Sequence, residues 1–168
     1  MKKRQFIRKV CLIGDGAVGK TSLVRRYVLD VFSDDYISTF GAKVSKKVMT
    51  FGDVELTMMI WDILGQKSGA SMQSAYFSGA NGAFIVCDST RPETLDGLNF
   101  WYQEFSRVAG KVPVIPLVNK SDLPPMVTEE SMASASKVIG QNFRRTSAKT
   151  GEGVEEAFLQ LGKLIVGG

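Results

Sequence analysis

The chain contains no histidine. That absence excludes every mechanism built on imidazole, including the common hydrolytic triad, and most zinc sites as well. Cysteine is almost as scarce: Cys11 and Cys87 are the two, each inside an apolar, strand-like run. Such residues offer no disulfide framework and suit small buried side chains in a reducing compartment. No apolar stretch approaches a membrane span, and the amino terminus lacks a signal-peptide core. The carboxyl end, Leu164-Ile165-Val166-Gly167-Gly168, has no cysteine and so shows no lipid-acceptor motif.

What remains is the composition of an ordinary globule. The 168 residues fit one compact domain over 1–168, and 44% hydrophobic with 23% charged residues is enough for a core on both faces of a sheet. The net charge of +4 owes much to Lys2, Lys3, Arg4, Arg8 and Lys9. A single terminal cluster reads as a solvated, frayed start, and it does not make a nucleic-acid surface.

One stretch carries specific chemistry: Gly14-Asp15-Gly16-Ala17-Val18-Gly19-Lys20-Thr21. It follows an apolar strand over 6–13 and opens a helix with Leu23, Val24, Tyr27 and Val28 on one face. Strand, glycine-rich turn, then lysine and a hydroxyl at a helix start form a phosphate-binding P-loop. Glycines let successive N–H groups converge on phosphate oxygens, and the helix start adds unpaired N–H groups. Lys20 supplies a point charge for the terminal phosphates, and Thr21 a hydroxyl for magnesium. The motif by itself does not say which base is bound.

Further along, residues 30–41 are polar with stray aromatics and no periodicity, which beside a P-loop reads as a mobile loop. Residues 43–49 and 54–61 flank Phe51-Gly52-Asp53 and read as an antiparallel hairpin. The first strand then lies at the sheet edge, where Lys46 and Lys47 discourage further pairing. A modest helix covers 71–77, and 83–88 is a fully apolar strand. Leu98, Trp101, Phe105 and Val108 mark the next helix. Residues 112–118 form a strand in which Pro116 predicts a bulge. A helix over 129–139 capped by Thr128, a strand over 142–147, and a helix from Gly153 complete the chain. This pattern predicts an α/β fold, a P-loop NTPase three-layer sandwich with a six-stranded, mostly parallel sheet and one antiparallel edge strand.

Ligands of such sheets sit beyond the carboxyl ends of the strands. The third strand ends at Asp62, in an Asp-x-x-Gly pattern completed by Gly65. A carboxylate there can hold magnesium, the Gly65 N–H can reach a third phosphate, and Gln66 can orient a water. Asn119-Lys120-Ser121-Asp122 closes the fifth strand. A buried Asp122 carboxylate would accept the N1–H and 2-amino groups of guanine and reject adenine, which offers neither. Asn119 can tie loops together, the stem of Lys120 can lie over the base, and Leu123 follows in the same loop. Ser147-Ala148-Lys149 closes the sixth strand, with the Ala148 N–H placed for the guanine 6-oxo group. With Asp15 through Thr21 and Ser22 in the first loop, these residues make a guanine-nucleotide pocket.

The combined set resembles the Ras-like small GTPases, nearest to the Rab and Ras branches, over roughly 5–165. That resemblance implies GTP and GDP as ligands, Mg2+ as the metal and slow hydrolysis. It also implies activating and exchange proteins, and effectors that read two switch loops in signalling or vesicle trafficking. In its terms 32–41 is the first switch, where Thr39 binds magnesium and senses the third phosphate. Phe32 packs edge-on against guanine and Tyr36 closes over the phosphates. The second switch runs from Asp62 to about 77, with Gln66 placing the attacking water. The implied catalytic set is Gln66, Lys20, Thr39 and Gly65, and the metal set is Thr21, Thr39 and Asp62. Gly16 stands where a side chain would obstruct hydrolysis. Arg25, Arg26 and Arg91 read as surface or salt-bridge residues, so an arginine finger would come from a partner.

The chain departs from the family pattern at several points. Ile63, Leu64 and Lys67 replace the usual Thr, Ala and Glu around Gly65 and Gln66, and Val118 replaces a glycine. Leu64 motivates an alternative, a GTP-gated binding module with little hydrolysis. A kinase on the same fold would need an acceptor pocket and an arginine-bearing lid, for which the chain has no insertion. Without a lipidated tail the chain resembles a prokaryotic or archaeal member or a trimmed chain. It is expected in the cytoplasm, at a membrane only through a partner.

Overall fold

The computed structural model describes residues 2–29, 41–64 and 75–167. Its elements, in chain order, are β1 (Arg4–Ile13), α1 (Lys20–Leu29), β2 (Gly41–Phe51), β3 (Val54–Leu64) and β4 (Gly82–Asp88). There follow α2 (Pro92–Asp96), α3 (Leu98–Ala109), β5 (Val114–Asn119), α4 (Glu129–Ile139), β6 (Arg144–Arg145) and α5 (Val154–Gly167). The six strands lie in the order β2-β3-β1-β4-β5-β6, and only the β2–β3 pair is antiparallel. This is the P-loop NTPase architecture read from the sequence, with β2 at the edge.

Alternation along the central strands divides the core between two faces. Val10, Leu12, Phe84, Val86, Ile115 and Leu117 pack with α1 and α5, where the ring of Phe158 stacks on Tyr27 at 3.9 Å. Cys11, Ile13, Ala83, Ile85, Cys87 and Val118 face α3 and α4 through Trp101, Phe105, Met132 and Ile139. Both cysteines are free and buried, and burial pushes each thiol up to about 12, so neither is a thiolate at neutral pH. Among the described residues no helix is long and apolar enough to cross a membrane.

Four expectations need correction. β1 begins at Arg4 instead of inside a frayed terminus, because Arg4 pairs with Val54 in the sheet and its guanidinium grips Asp53 at 2.9 Å and 3.1 Å. β3 runs past Asp62 to Leu64, since β2 continues to pair with it after β1 has ended. Pro116 causes no bulge: the β4–β5 register is unbroken from Ala83↔Val114 to Asp88↔Asn119. Ala83 N–H donates to Pro113 O and Ser89 N–H to Asn119 O, so odd-numbered residues of β5 bond β4 and the Pro116 nitrogen faces the other way. On that side β6 pairs only from Leu117 onward, so no ladder bond is lost. β6 itself is two residues long, shorter than the predicted 142–147.

Other readings stand. Thr128 caps α4 by accepting from Ser131 N–H, and the Ser131 hydroxyl completes a capping box. Of the helix predicted over 71–77, residues 75–77 are helical and the rest lies outside the described residues.

Candidate nucleotide-binding site

In the loop between β1 and α1 every carbonyl from Gly14 to Gly19 has a donor. Lys20 Nζ donates to Gly14 O and Asp15 O, both at 3.0 Å. Arg91 Nη1 donates to Gly16 O at 3.2 Å, Lys120 Nζ to Ala17 O at 3.2 Å and Asn119 Nδ2 to Val18 O at 3.0 Å. Gly19 O accepts from Leu23 N–H at 2.9 Å in the first turn of α1. Because a trans peptide holds its C=O and the next N–H on opposite sides, engagement of the Gly16, Ala17, Val18 and Gly19 carbonyls leaves the N–H groups of residues 17–20 on the other face of the loop. That row of donors at a helix start is an anion site.

Two glycines are required by contact as well as conformation. A Cβ on Gly14 (φ +146°) would lie 2.3 Å from Val86 O, and one on Gly19 (φ +101°) 2.2 Å from Asn119 Nδ2. Ala17 is left-handed at φ 61° although it carries a side chain. Asp15 is held by Trp101, whose indole N–H donates to Asp15 Oδ1 at 2.8 Å. That bond satisfies the one polar group of a ring that is otherwise buried in the core.

Lys20 is 7% exposed. Burial pushes its amine down to about 8 despite the opposing charges of Asp62 and Asp15. Facing it, Asp62 is 1% exposed, and burial raises its carboxyl against the hydrogen bond from Thr21 and the charges of Lys20, Lys43 and Arg25. Thr21 Oγ1 donates to Asp62 Oδ2 at 2.6 Å, while Asp62 Oδ1 has no hydrogen-bond partner among the described residues. One hydroxyl and one carboxylate with a buried oxygen to spare fit magnesium, which keeps waters and completes its shell from substrate phosphates. No group of three or more Cys, Asp or Glu side chains placed to hold a metal occurs among the described residues.

The loops over residues 119–123 and 147–149 converge on the same end of the sheet. Asn119 is 1% exposed, and its Oδ1 accepts from Thr146 Oγ1 at 3.1 Å while its amide holds Val18 O. One side chain thus joins three loops. Asp122 departs from the expectation of burial: it is exposed, because the turn closed by Leu123 N–H on Lys120 O projects past the strand tips. Its orientation is nevertheless held, since the buried Ser147 hydroxyl donates to Asp122 Oδ1 at 2.7 Å. Arg26 from α1 donates to Ala148 O at 2.7 Å and Lys149 O at 2.6 Å, and Gly151 N–H to Ser147 O at 2.7 Å. With those carbonyls engaged, the Ala148 N–H is turned to the opposite side of its peptide.

Of the predicted site residues, Asp15, Gly16, Ala17, Val18, Gly19, Lys20, Thr21, Ser22, Asp62, Asn119, Lys120, Asp122, Leu123, Ser147, Ala148 and Lys149 gather at this end of the sheet. Phe32, Tyr36, Thr39, Gly65, Gln66 and Lys67 lie outside the described residues. Arg91 makes the expected kind of salt bridge, to Glu93 Oε1 at 3.2 Å, and both Arg26 and Arg91 in addition donate to site carbonyls.

The segment after β4 adds site residues that no sequence motif marks. Asp88 there is fully buried and lies 2.7 Å from Lys120 Nζ. Burial alone would raise its carboxyl, but hydrogen bonds from Lys120 and Thr90 hold it below the usual carboxylate range. Ser89 Oγ donates to Lys120 O at 2.9 Å. The signal was present: Asp88 is a carboxylate ending a fully apolar strand, at the end of the sheet where ligands bind.

Comparison with known proteins bears on the same residues. The Ras family model matches residues 9–166. The chain is 34% identical over 166 residues to the Ras-related protein Rab-21 of Homo sapiens, covering 97% of this chain and 74% of the relative. It is 38% identical over 161 residues to the Ras-related protein RABA4a of Arabidopsis thaliana, covering 94% and 71%. With the Ras-related protein SEC4 of Saccharomyces cerevisiae it shares 33% over 166 residues, covering 98% and 77%.

Proposed function

The chain belongs to the Ras family, and from that premise we propose that it is a guanine-nucleotide switch that hydrolyses GTP to GDP and phosphate with Mg2+. Residues 1–168 form one G domain, and its two switch loops signal to effector proteins and answer to activating and exchange proteins. Its place is the cytoplasm, with membranes reached through partners. The observation that carries this reading is Asn119, which locks the phosphate loop through Val18 O to the two base-reading loops.

Each residue has a part. The N–H groups of residues 17–20 and the Lys20 ammonium bind the phosphates. Asp122 and the Ala148 N–H select guanine over adenine by complementary donors and acceptors. Thr21 and Asp62 would hold magnesium, joined by Thr39. The metal supplies neutralisation of the charge that develops between the last two phosphates. Gln66 orients the attacking water, and Thr39 and the Gly65 N–H sense the third phosphate.

Calorimetry on nucleotide-stripped protein with Mg2+ tests the reading. Tight binding of GDP and GTP is expected, with ATP weaker by at least about a thousandfold. Equal binding of ATP, or none of any nucleotide, defeats it. Single-turnover hydrolysis of the parent and Leu64→Ala then separates a hydrolytic switch from a module that only binds.

Lys20 adds a pH signature. Its amine lies near 8 in the protein alone, and a bound phosphate anion favours the ammonium. Nucleotide binding at pH 8.5 should therefore take up roughly 0.8 proton, and affinity should fall toward tenfold per pH unit above that. Titrations in two buffers of different ionisation heat measure the uptake. A value near zero would mean that the ammonium is already stable in the free protein.

A further inference from the structure

The segment after β4 forms a bracket on the outside of the phosphate loop. Thr94 is fully buried and locks it: Asp88 N–H donates to Thr94 Oγ1 at 2.8 Å, and Thr94 N–H and Oγ1 donate to Arg91 O at 2.9 Å and 2.7 Å. Arg91 N–H donates in turn to Asp88 O at 3.0 Å. From this frame the guanidinium reaches two successive loop carbonyls, Gly16 O at 3.2 Å and Ala17 O at 3.5 Å, while Nε holds Glu93 Oε1 at 3.2 Å. Lys120, tethered to Asp88 of the same bracket, reaches Ala17 O as well.

Both cations therefore converge on Ala17, whose φ of 61° is one that L side chains resist. A residue in such a conformation persists only where its surroundings over-determine it. Were Ala17 to relax, the peptide groups on either side of it would turn, and with them the N–H groups that face the phosphates.

We propose that Arg91 is a positioning residue: by gripping Gly16 O and Ala17 O it holds Ala17 left-handed and so sets the rate of nucleotide release. The proposal rests on the guanine-nucleotide reading above and adds a determinant that lies outside the P-loop and base-reading motifs. Both contacts come from the single nitrogen Nη1 while Nε is anchored on Glu93, so the planar guanidinium fixes the angle at which that nitrogen meets the two carbonyls, which a freely rotating ammonium does not.

Release of fluorescent GDP, chased with unlabelled GDP, tests it. Arg91→Ala should release about tenfold faster, the loss of one charge-assisted grip. Arg91→Lys should fall between it and the parent, at roughly threefold, because the charge survives but the Glu93 anchor that aims the guanidinium is lost. The decisive variant is Ala17→Gly, in which the left-handed turn costs nothing. In that background Arg91→Ala should accelerate release by less than about threefold, since there is little strain left to hold. Cooperative thermal unfolding with saturating GDP checks that each variant folds. If Arg91→Ala does not fold, Arg91→Lys carries the comparison in both backgrounds.

Release by Arg91→Ala at the parent rate overturns the proposal. So does a full tenfold effect that persists with Gly at 17, which would place Arg91's action elsewhere. A parent that binds no GDP would sink the nucleotide reading and this inference together, whereas a binding parent indifferent to Arg91 sinks only the inference.

Discussion

Replacing Asp122 with alanine is expected to lower affinity for GTP and GDP about a thousandfold, with ATP affinity changing less than tenfold, as read by calorimetry with Mg2+. Two hydrogen bonds to a charged acceptor are lost, each worth about 1.5–3 kcal/mol. The structure explains why that full value is available. Ser147 is fully buried, and its hydroxyl donates to Asp122 Oδ1 while accepting from Thr150 N–H at 3.1 Å. The carboxylate is thus aimed before a base arrives, so little ordering cost is subtracted on binding. Asp122 is itself exposed and outside the core, so the variant should still fold, less stable by about 1–2 kcal/mol because the buried Ser147 hydroxyl loses its acceptor. A GTP affinity within fivefold of the parent would show that the base is read somewhere else.

Lys20→Met should separate function from stability. Affinity for GTP should fall by about a hundred- to a thousandfold, because removing one member of a buried charge pair costs about 2–5 kcal/mol. The nucleotide-free protein, however, should become more stable at pH 7. Lys20 is depressed from the ordinary amine range to about 8 by burial, and that shift represents an ammonium strained by roughly 3 kcal/mol. Against this stand Gly14 O and Asp15 O, which lose their donor at a cost of about 1–2 kcal/mol. The net gain is then about 1–2 kcal/mol, measurable by urea unfolding without nucleotide. The sign with pH follows from the depressed amine. In the parent the burial cost is fully present below pH 8 and disappears as pH rises toward the unfolded value near 10.4. Parent stability without nucleotide should therefore climb over that window, and the climb should be missing in Lys20→Met. A variant less stable than the parent at pH 7 would show that the two loop hydrogen bonds outweigh desolvation.

Much of the site was legible because its chemistry is local in sequence. A P-loop needs its glycines, lysine and hydroxyl within eight consecutive residues, and Gly14 to Thr21 supply them. The same holds for the Asn119-Lys120-Ser121-Asp122 and Ser147-Ala148-Lys149 loops, for the hairpin around Gly52-Asp53, and for the Thr128 cap. Pro116 was misread because its cost depends on which neighbour its nitrogen faces, and strand order alone answers that. The exposure of Asp122 was misread because residue type does not tell how far a turn projects beyond the strand tips.

Left to itself, then, the sequence determined the family and the motifs from which a ligand is proposed, since backbone conformation and donor type are written within a few residues of each motif. Only the tertiary structure decided what holds those loops in shape. Arg91 on Gly16 and Ala17, Lys120 on Ala17, Trp101 on Asp15 and Thr21 on Asp62 join residues 41 to 103 positions apart. The physical reason is that a loop carbonyl accepts from whatever donor the packed sheet carries to it, and hydrophobic patterning along the chain does not encode that meeting.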